Sequence, residues 1–343
     1  MNRPKPATIN DVALAAGVAA STVSRALSIP GRVKTSTREH IEQVATELNY
    51  VPNTHARALT SGPTGVVAVL ISEITNPFHF EVIRGSHRQL SSAGYNQFLV
   101  ETEASAELEL RTLAKLRPSC DGAILTAPRA SDAELVALSK ELPIVVINRA
   151  TAGVPSVVIN TAEGMNQAIE HLVSLGHTRV LYINGPRDSW SNEKRWRAMK
   201  GAADRLGVNV GRTAPFPPQT MSGFAAADAL INSGATACIA FNDLLAIGML
   251  EALRDRNIRV PEDISIVGCD NIFGADFCNP PLTTLASPIE EAGRVAVTIL
   301  LSLFAPVGRP PRRTVLLPTY LTVRNSTGPV SERKRTSRDA SIP

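Results

Sequence analysis

The chain has 343 residues, 44% of them hydrophobic, with a formal net charge of +4. That length suits two or three domains of a globular protein, and so small a charge excludes a polybasic coat. Four scattered cysteines (Cys120, Cys238, Cys269, Cys278) form no metal-ligand pattern, no apolar leader opens the chain, and no apolar run is long enough to span a bilayer. The expectation is therefore free thiols in a reducing cytoplasm, no metal, no cofactor and no membrane.

Chain order begins with a short amphipathic helix. Thr8 and Asp11 have capping-box spacing, and Ile9, Val12, Ala13 and Ala16 fall on one face. Gly17 suits the left-handed turn that ends it. A second short helix follows, burying Val23, Ala26 and Leu27 and leaving Ala20, Ser21, Thr22 and Arg25 outside. Two short helices across so tight a turn read as a helix-turn-helix, whose second helix enters the DNA major groove. A third helix runs over 37–48, with Ile41, Val44, Ala45 and Leu48 at helical spacing, and Asn49 and Pro52 stop it. A short helical segment over 53–59 then ends in a Gly/Pro-rich break. Residues 1–62 carry seven Lys/Arg against four Asp/Glu, a net charge of +3 on the head.

From Gly65 the pattern changes to alternating strands and helices. The run Gly65–Ile71 reads as a buried parallel strand, then a helix over 80–93, a strand over 96–100 and a helix over 104–116. Strands over 122–126 and 144–147 flank a helix over 132–141. A second series starts near Thr161: helices over 164–175, 193–206, 222–232 and 243–255, and strands over 180–183, 237–240 and 264–268. The whole is two doubly wound α/β lobes. Asp270 ends a strand, which puts its carboxylate at the carboxyl end of a parallel sheet, where such folds bind ligands. No internal sequence repeat is evident. The last 13 residues, rich in Arg, Lys and Ser, read as a disordered basic tail.

The series Thr8-x-x-Asp11-Val12-Ala13-x-x-Ala16-Gly17-Val18, Thr22-Val23-Ser24-Arg25, Thr37-Arg38 and Leu48-Asn49-Tyr50-x-Pro52-Asn53-x-x-Ala56-Arg57-x-Leu59 resembles the LacI/GalR family of bacterial transcription regulators. The resemblance extends over about residues 6 to 328. It implies an α+β multidomain fold: an all-α helix-turn-helix head and hinge helix, then a two-lobed, periplasmic-binding-protein-like α/β body with parallel sheets. The expected division is a headpiece over 1–52, a hinge over 53–62, a body over 63–330 and a tail over 331–343. The first lobe would take about 63–160 plus 291–317, and the second 161–290 plus 318–330.

For DNA, the resemblance places Ala20 and Ser21 at the family's main base-reading positions. Both are short here, so they discriminate bases weakly. Arg25 would contact either a guanine or a phosphate. Thr8 joins the expected contact set, with Thr22, Ser24, Ser28, Arg32 and Asn53 as phosphate ligands. Ala56, Arg57 and Leu59 match the hinge helix, which is too short to be stable alone and would form when two chains pair over an operator. Leu59 would then wedge into the minor groove; its alternative is a linker residue packed on the body. Two departures bear on stability. Ala19 stands where the family has a capping Ser, so either Ser21 caps one turn later or the helix firms up only on DNA; Thr35 or Ser36 is expected to cap the third helix.

The same resemblance places an effector site at Asn76, Phe78, Asn148 and Arg149 on the first lobe and at Trp190, Arg195, Asn242 and Asp270 on the second. Individually, Asn242 can be a helix cap, Arg149 an interlobe salt bridge and Trp190 a loop anchor. Asn148 stands where most members have Asp, which suggests a more positive pocket and an anionic effector, a sugar acid or phosphate. The function expected is a dimeric, effector-controlled repressor on a palindromic operator. The alternatives are an exported sugar-binding protein, an enzyme, for which no catalytic motif appears, and a regulator with a vestigial pocket.

Overall fold

A computed structural model describes residues 7–28, 31–50, 63–305 and 314–330. The chain divides after Thr64 into two compact units. The first holds α1 (Ile9–Ala15), α2 (Ala20–Ser28) and α3 (Thr35–Glu47). Thr8 and Asp11 form the capping box of α1, with both reciprocal bonds present. Gly17 takes φ +66°, the left-handed conformation that turns the chain from α1 into α2. Val12, Ala13, Ala16, Val23, Ala26, Ile41, Val44 and Ala45 make one small core. Two capping expectations need correction. The helix α3 starts at Thr35, so Thr35 and Ser36 lie inside its first turn and Lys34 holds the cap position without a side-chain bond. The Ser21 hydroxyl, expected to replace the missing cap of α2, accepts from Arg25 Nη2 at 3.2 Å instead.

The second unit is two six-stranded sheets. The first sheet uses β1 (Val66–Ile71), β2 (Asn96–Glu101), β3 (Gly122–Thr126), β4 (Ile144–Ile147), β5 (Ser156–Asn160) and β11 (Thr314–Pro318). Its helices are α4 (Pro77–Ser92), α5 (Ala106–Leu116), α6 (Asp132–Glu141) and α11 (Ile289–Phe304). The second sheet uses β6 (Arg179–Ile183), β7 (Asn209–Arg212), β8 (Ala237–Ala240), β9 (Ser265–Asp270), β10 (Thr283–Ala286) and β12 (Tyr320–Thr322). Its helices are α7 (Ala162–Ser174), α8 (Trp190–Leu206), α9 (Gly223–Ser233) and α10 (Asp243–Asp255).

The strand orders are β2-β1-β3-β4-β5-β11 and β7-β6-β8-β9-β10-β12. The two lobes therefore repeat one topology although no repeat shows in the sequence. All pairings are parallel except β10 with β12. The chain passes between sheets after β5, after β10 and between β11 and β12. Two of these strands of chain are tied together, since Thr319 Oγ1 donates to Asn160 O at 3.0 Å.

The helices α4 and α8 start earlier than periodicity suggests, because capping extends them. Asn76 caps α4 with Pro77 at its first position, and Ser189 caps α8 through Asn192 N. The strands β5, β7, β10 and β12 were not anticipated. They are short, β7 is an exposed edge, and β10 buries two threonines whose hydroxyls are hydrogen-bonded.

In the first lobe α4 and α11 cross closely. A Cβ on Gly85 would fall well inside van der Waals contact of the Glu290 carbonyl. That obstacle is helix backbone, which cannot rotate away. Gly85→Ala should destabilise the body by about 1–3 kcal/mol, the usual penalty of overpacking. Urea unfolding of the variant checks this, and an unchanged midpoint would contradict the crossing.

Candidate functional site

On α2 the buried residues Val23 and Ala26 leave Ser21, Ser24 and Arg25 exposed on one face, with Thr22 and Ala20 half-buried. Arg25 Nε donates to Ser21 O at 3.0 Å, so the guanidinium lies back along its own helix. Arg32 is exposed in the connection to α3, and Thr8 is engaged as the cap of α1. The expectations for the side chain of Ser28, for Asn53, Ala56, Arg57 and Leu59, for the hinge and for the tail lie outside the described residues.

In the body, strand order reverses at β1/β3 in one sheet and at β6/β8 in the other, and crevices open at such switch points. The loops after β1, β3, β6 and β7 meet across the lobes. Gln219 Nε2 donates to Glu73 Oε1 at 3.3 Å, and Arg129 Nη1 stands 3.5 Å from Asp188 Oδ1. Between them lies a cavity of about 420 Å³, lined by Ser72, Asn76, Glu101, Glu103 and Pro218 among others.

On the first lobe, Asn76 lines this cavity while its Oδ1 accepts from Phe78 N at 3.0 Å. Phe78 does not reach it. Helical phase turns the ring inward, into the apolar core with Val82 and Ile289, which corrects its expected place in the effector site. Asn148 follows β4 with φ +61°, a conformation Asn tolerates. Its backbone N donates to Val157 O. Arg149 is a clamp within its own lobe: Nη1 donates to Pro128 O and Ala130 O, and Nη2 pairs with Asp132 at 2.7 Å. It is thus no bridge between lobes.

On the second lobe, Arg195 is buried. Its Nη2 pairs with Asp270 Oδ1 at 2.6 Å, Nη1 donates to Phe241 O, and the guanidinium carbon stands 5.0 Å from the Phe241 ring centroid. Asp270, with φ +108°, ends β9. Burial pushes its carboxyl up and Arg195 opposes that shift. Asp243 beside it is raised further, to about 8, by burial and then by the Asp270 charge, although it accepts from Thr284 Oγ1 and Ile272 N. Asn242 caps α10 through Leu245 N and holds Pro218 O. Trp190 lines a separate cavity of about 260 Å³ with Asn160, Thr161 and Lys194, whose ammonium lies 5.2 Å from its ring centroid.

The charge expectation also needs correction. Arg195 is balanced by Asp270 and Arg149 by Asp132, while Glu73, Glu101, Glu103 and Asp188 line the main cavity against Arg129 alone. The cavity lining is acidic and includes Asn76 alone of the expected effector residues; the pairing of Arg149 and Arg195 with carboxylates is what removes the ground for an anionic effector.

Sequence reasoning missed Arg129, Glu109, Thr126 and His79. Glu109, on the buried face of α5, accepts from Arg129 N and Ala130 N and so shapes the loop after β3. His79 is buried on α4, Nε2 3.0 Å from Ser72 Oγ, and burial pushes its ring down to about 4. The unfolded chain binds a proton near pH 6.5 while the folded one does not, so stability is lost as pH falls from about 6.5 to 4. That window amounts to about 3 kcal/mol. His79→Gln should flatten the pH dependence of the urea midpoint across it; equal slopes in both proteins would refute the assignment.

A three-helix head with an exposed second helix, and a body of two matched lobes around a polar cavity, define a class: DNA-binding regulators with a periplasmic-binding-protein-like body. Residues 8–53 match the model described as "Bacterial regulatory proteins, lacI family", and residues 169–327 match the periplasmic binding protein-like domain. The chain is 34% identical over 340 residues to the HTH-type transcriptional regulator DegA of Bacillus subtilis (strain 168), covering 94% of this chain and 99% of that one. It is 33% identical to the ribose operon repressor of Escherichia coli (strain K12), over 86% and 92% of the two chains. The lac repressor dimer bound to operator and the anti-inducer ONPF superposes with a TM-score of 0.82 at 27% identity, over 94% of this chain and all of that one. A regulator from Enterococcus faecium with bound ribose gives 0.69 at 28%, over 78% and all. The chain belongs to the lacI family of bacterial regulatory proteins, a family of DNA-binding transcription regulators and not of enzymes.

Proposed function

We propose that this chain is a homodimeric repressor that binds a palindromic operator and releases or tightens on it when a neutral, hydroxyl-rich effector enters the interlobe cavity. One observation carries the effector reading. Five buried polar atoms find no partner among the described residues: Thr126 Oγ1, Arg129 Nε, Asn148 Oδ1 and Arg149 Nε at or just after the ends of β3 and β4, and Arg195 Nε on α8, with Arg129 lining the cavity itself. Buried polar groups are otherwise almost always hydrogen-bonded, and a polyol supplies both donors and acceptors. The acidic lining accepts hydroxyl donors and repels a sugar phosphate or sugar acid. The ribose operon repressor among the relatives and the ribose-bound regulator among the solved structures support a sugar-like ligand and a repressing role.

The residues proposed to hold the effector are Asn76, which lines the cavity, and Asn148, Arg149, Arg195, Asn242 and Asp270, which lie outside its lining, with Trp190 at a separate cavity. The DNA contacts proposed are Thr8, Ala20, Ser21, Thr22, Ser24, Arg25, Ser28 and Arg32 of the head, and Asn53, Ala56, Arg57 and Leu59 of the 53–62 hinge between headpiece and body. A dimer suits one short recognition helix, which reads only a few base pairs. Phe98 on the edge strand β2 is 50% exposed, and the edge-to-face pair Phe273 and Phe277 are 74% and 65% exposed. Apolar surface of this kind suits a second copy. The lac repressor dimer on its operator supports that assembly. A regulator of this type works in the cytoplasm, where the chromosome is.

The test is titration of the purified protein on its own upstream DNA, at two salt concentrations, with and without neutral sugars, sugar acids and sugar phosphates. Salt-sensitive binding to a palindrome, shifted by a neutral sugar, is the expected result. Binding that no compound shifts would favour a vestigial pocket, and weak binding equal on all DNA would overturn the operator reading.

A further inference from the structure

Arg129 is 10% exposed, yet among the described residues its only ion pair is a 3.5 Å approach to Asp188, itself 63% exposed on the opposite lobe, and its Nε has no partner. A guanidinium so enclosed is ordinarily bonded on several of its five donors. The backbone that carries it is fixed, since Glu109 accepts from Arg129 N and Ala130 N. The neighbouring arginines share the unpartnered Nε but differ in where their Nη groups go. Arg149 spends its donors on carbonyls and Asp132 of its own lobe, and Arg195 on Asp270 and Phe241 O of its own lobe. Arg129 alone of the three faces a partner across the cavity it lines.

We infer that Arg129 is a specificity-determining residue of the effector site that also latches the lobes: Nε donates to an acceptor oxygen of the ligand while Nη1 holds Asp188. The inference rests on the reading of the cavity as an effector site. One side chain then senses ligand and closure together. Ligand seated on Nε fixes the guanidinium plane, and a fixed plane holds Asp188 in place. Conversely, opening the lobes parts Arg129 from Asp188 and gives up the ligand contact with it. The second cross-lobe contact, Gln219 to Glu73, carries no such charge and does not touch Arg129.

The test uses the full chain and four variants: Arg129→Met, Arg129→Lys, Asp188→Asn, and Arg129→Met combined with Asp188→Asn. Hydrogen exchange over segments 72–79 and 186–192 reads closure without ligand. Tryptophan fluorescence titrations with D-ribose, D-glucose, gluconate and ribose 5-phosphate read binding. Arg129→Met and Asp188→Asn should speed exchange to a similar extent, and combining them should add nothing. Arg129→Lys keeps a cation for Asp188 and should exchange like the parent, but it lacks Nε. For whichever probe the parent binds, both Arg129 variants should lose at least tenfold in affinity and Asp188→Asn less than threefold. Equal losses in Arg129→Met and Asp188→Asn would reduce Arg129 to a latch, and parental affinity in Arg129→Met would overturn the inference. If the parent binds none of the probes, the effector reading falls, and the exchange data still decide the latch.

Discussion

Arg195→Met should cost the second lobe about 3–5 kcal/mol, the usual loss when one partner of a buried ion pair is removed. Two consequences add in the same direction. Asp270 is left buried without its counter-charge beside Asp243, and the Phe241 carbonyl loses its donor. The Met side chain fills much of the arginine stem's volume, so the loss is electrostatic and not a cavity effect. The two tryptophans, Trp190 and Trp196, both lie on α8, the helix that carries Arg195, so their fluorescence during urea unfolding reports this lobe. The double variant Arg195→Met with Asp270→Leu should recover much of the loss, because it removes both charges at once. A single variant as stable as the parent would mean that water reaches Asp270, and the buried pair would no longer explain the site.

Arg25→Met should weaken operator binding by the next largest margin. If the guanidinium reads a guanine, each half-site loses about 1–3 kcal/mol and the proposed dimer about twice that. The loss would then be confined to the operator, with binding to unrelated DNA nearly unchanged. If it holds a phosphate, binding falls on every sequence and the salt slope drops by about 1 per head. Titrations on operator and scrambled DNA at two salt concentrations separate these outcomes. In the DNA-free head Arg25 is held by Ser21 O and Ser21 Oγ, so it must leave Ser21 to reach DNA. Ser21→Ala removes one of those bonds and should leave affinity within a few-fold of the parent. Full operator affinity in Arg25→Met would exclude the α2 face as the reading surface.

These two arginines differ in how much of their role was legible beforehand. Arg25 sits in a local motif. Thr8, Asp11, Gly17 and the apolar spacing of α1 and α2 dictate which face is free, since capping, turn chemistry and helical phase act over three or four residues. The helix α6 is legible for the same reason, with Ser131 and Glu134 closing its capping box. The resemblance brought Arg195 and Asp270 to notice, but their contact spans 75 residues of chain. Position in a motif also misled. Phe78 follows the α4 cap as a cleft residue might, and its ring turned into the core. Asn148 suggested a positive pocket, and tertiary pairing had already balanced both arginines.

The sequence by itself determined the helix-turn-helix head, its exposed recognition face, the succession of strands and helices and the family. All of these follow from short-range spacing or from a motif read in order. The tertiary structure alone decided the sign of charge in the cavity, the enclosure of Arg129, His79 and Asp243, and the meeting of Arg129 with Asp188. A side chain's field and its burial depend on which strand ends the sheet order brings together. Local sequence does not encode that neighbourhood.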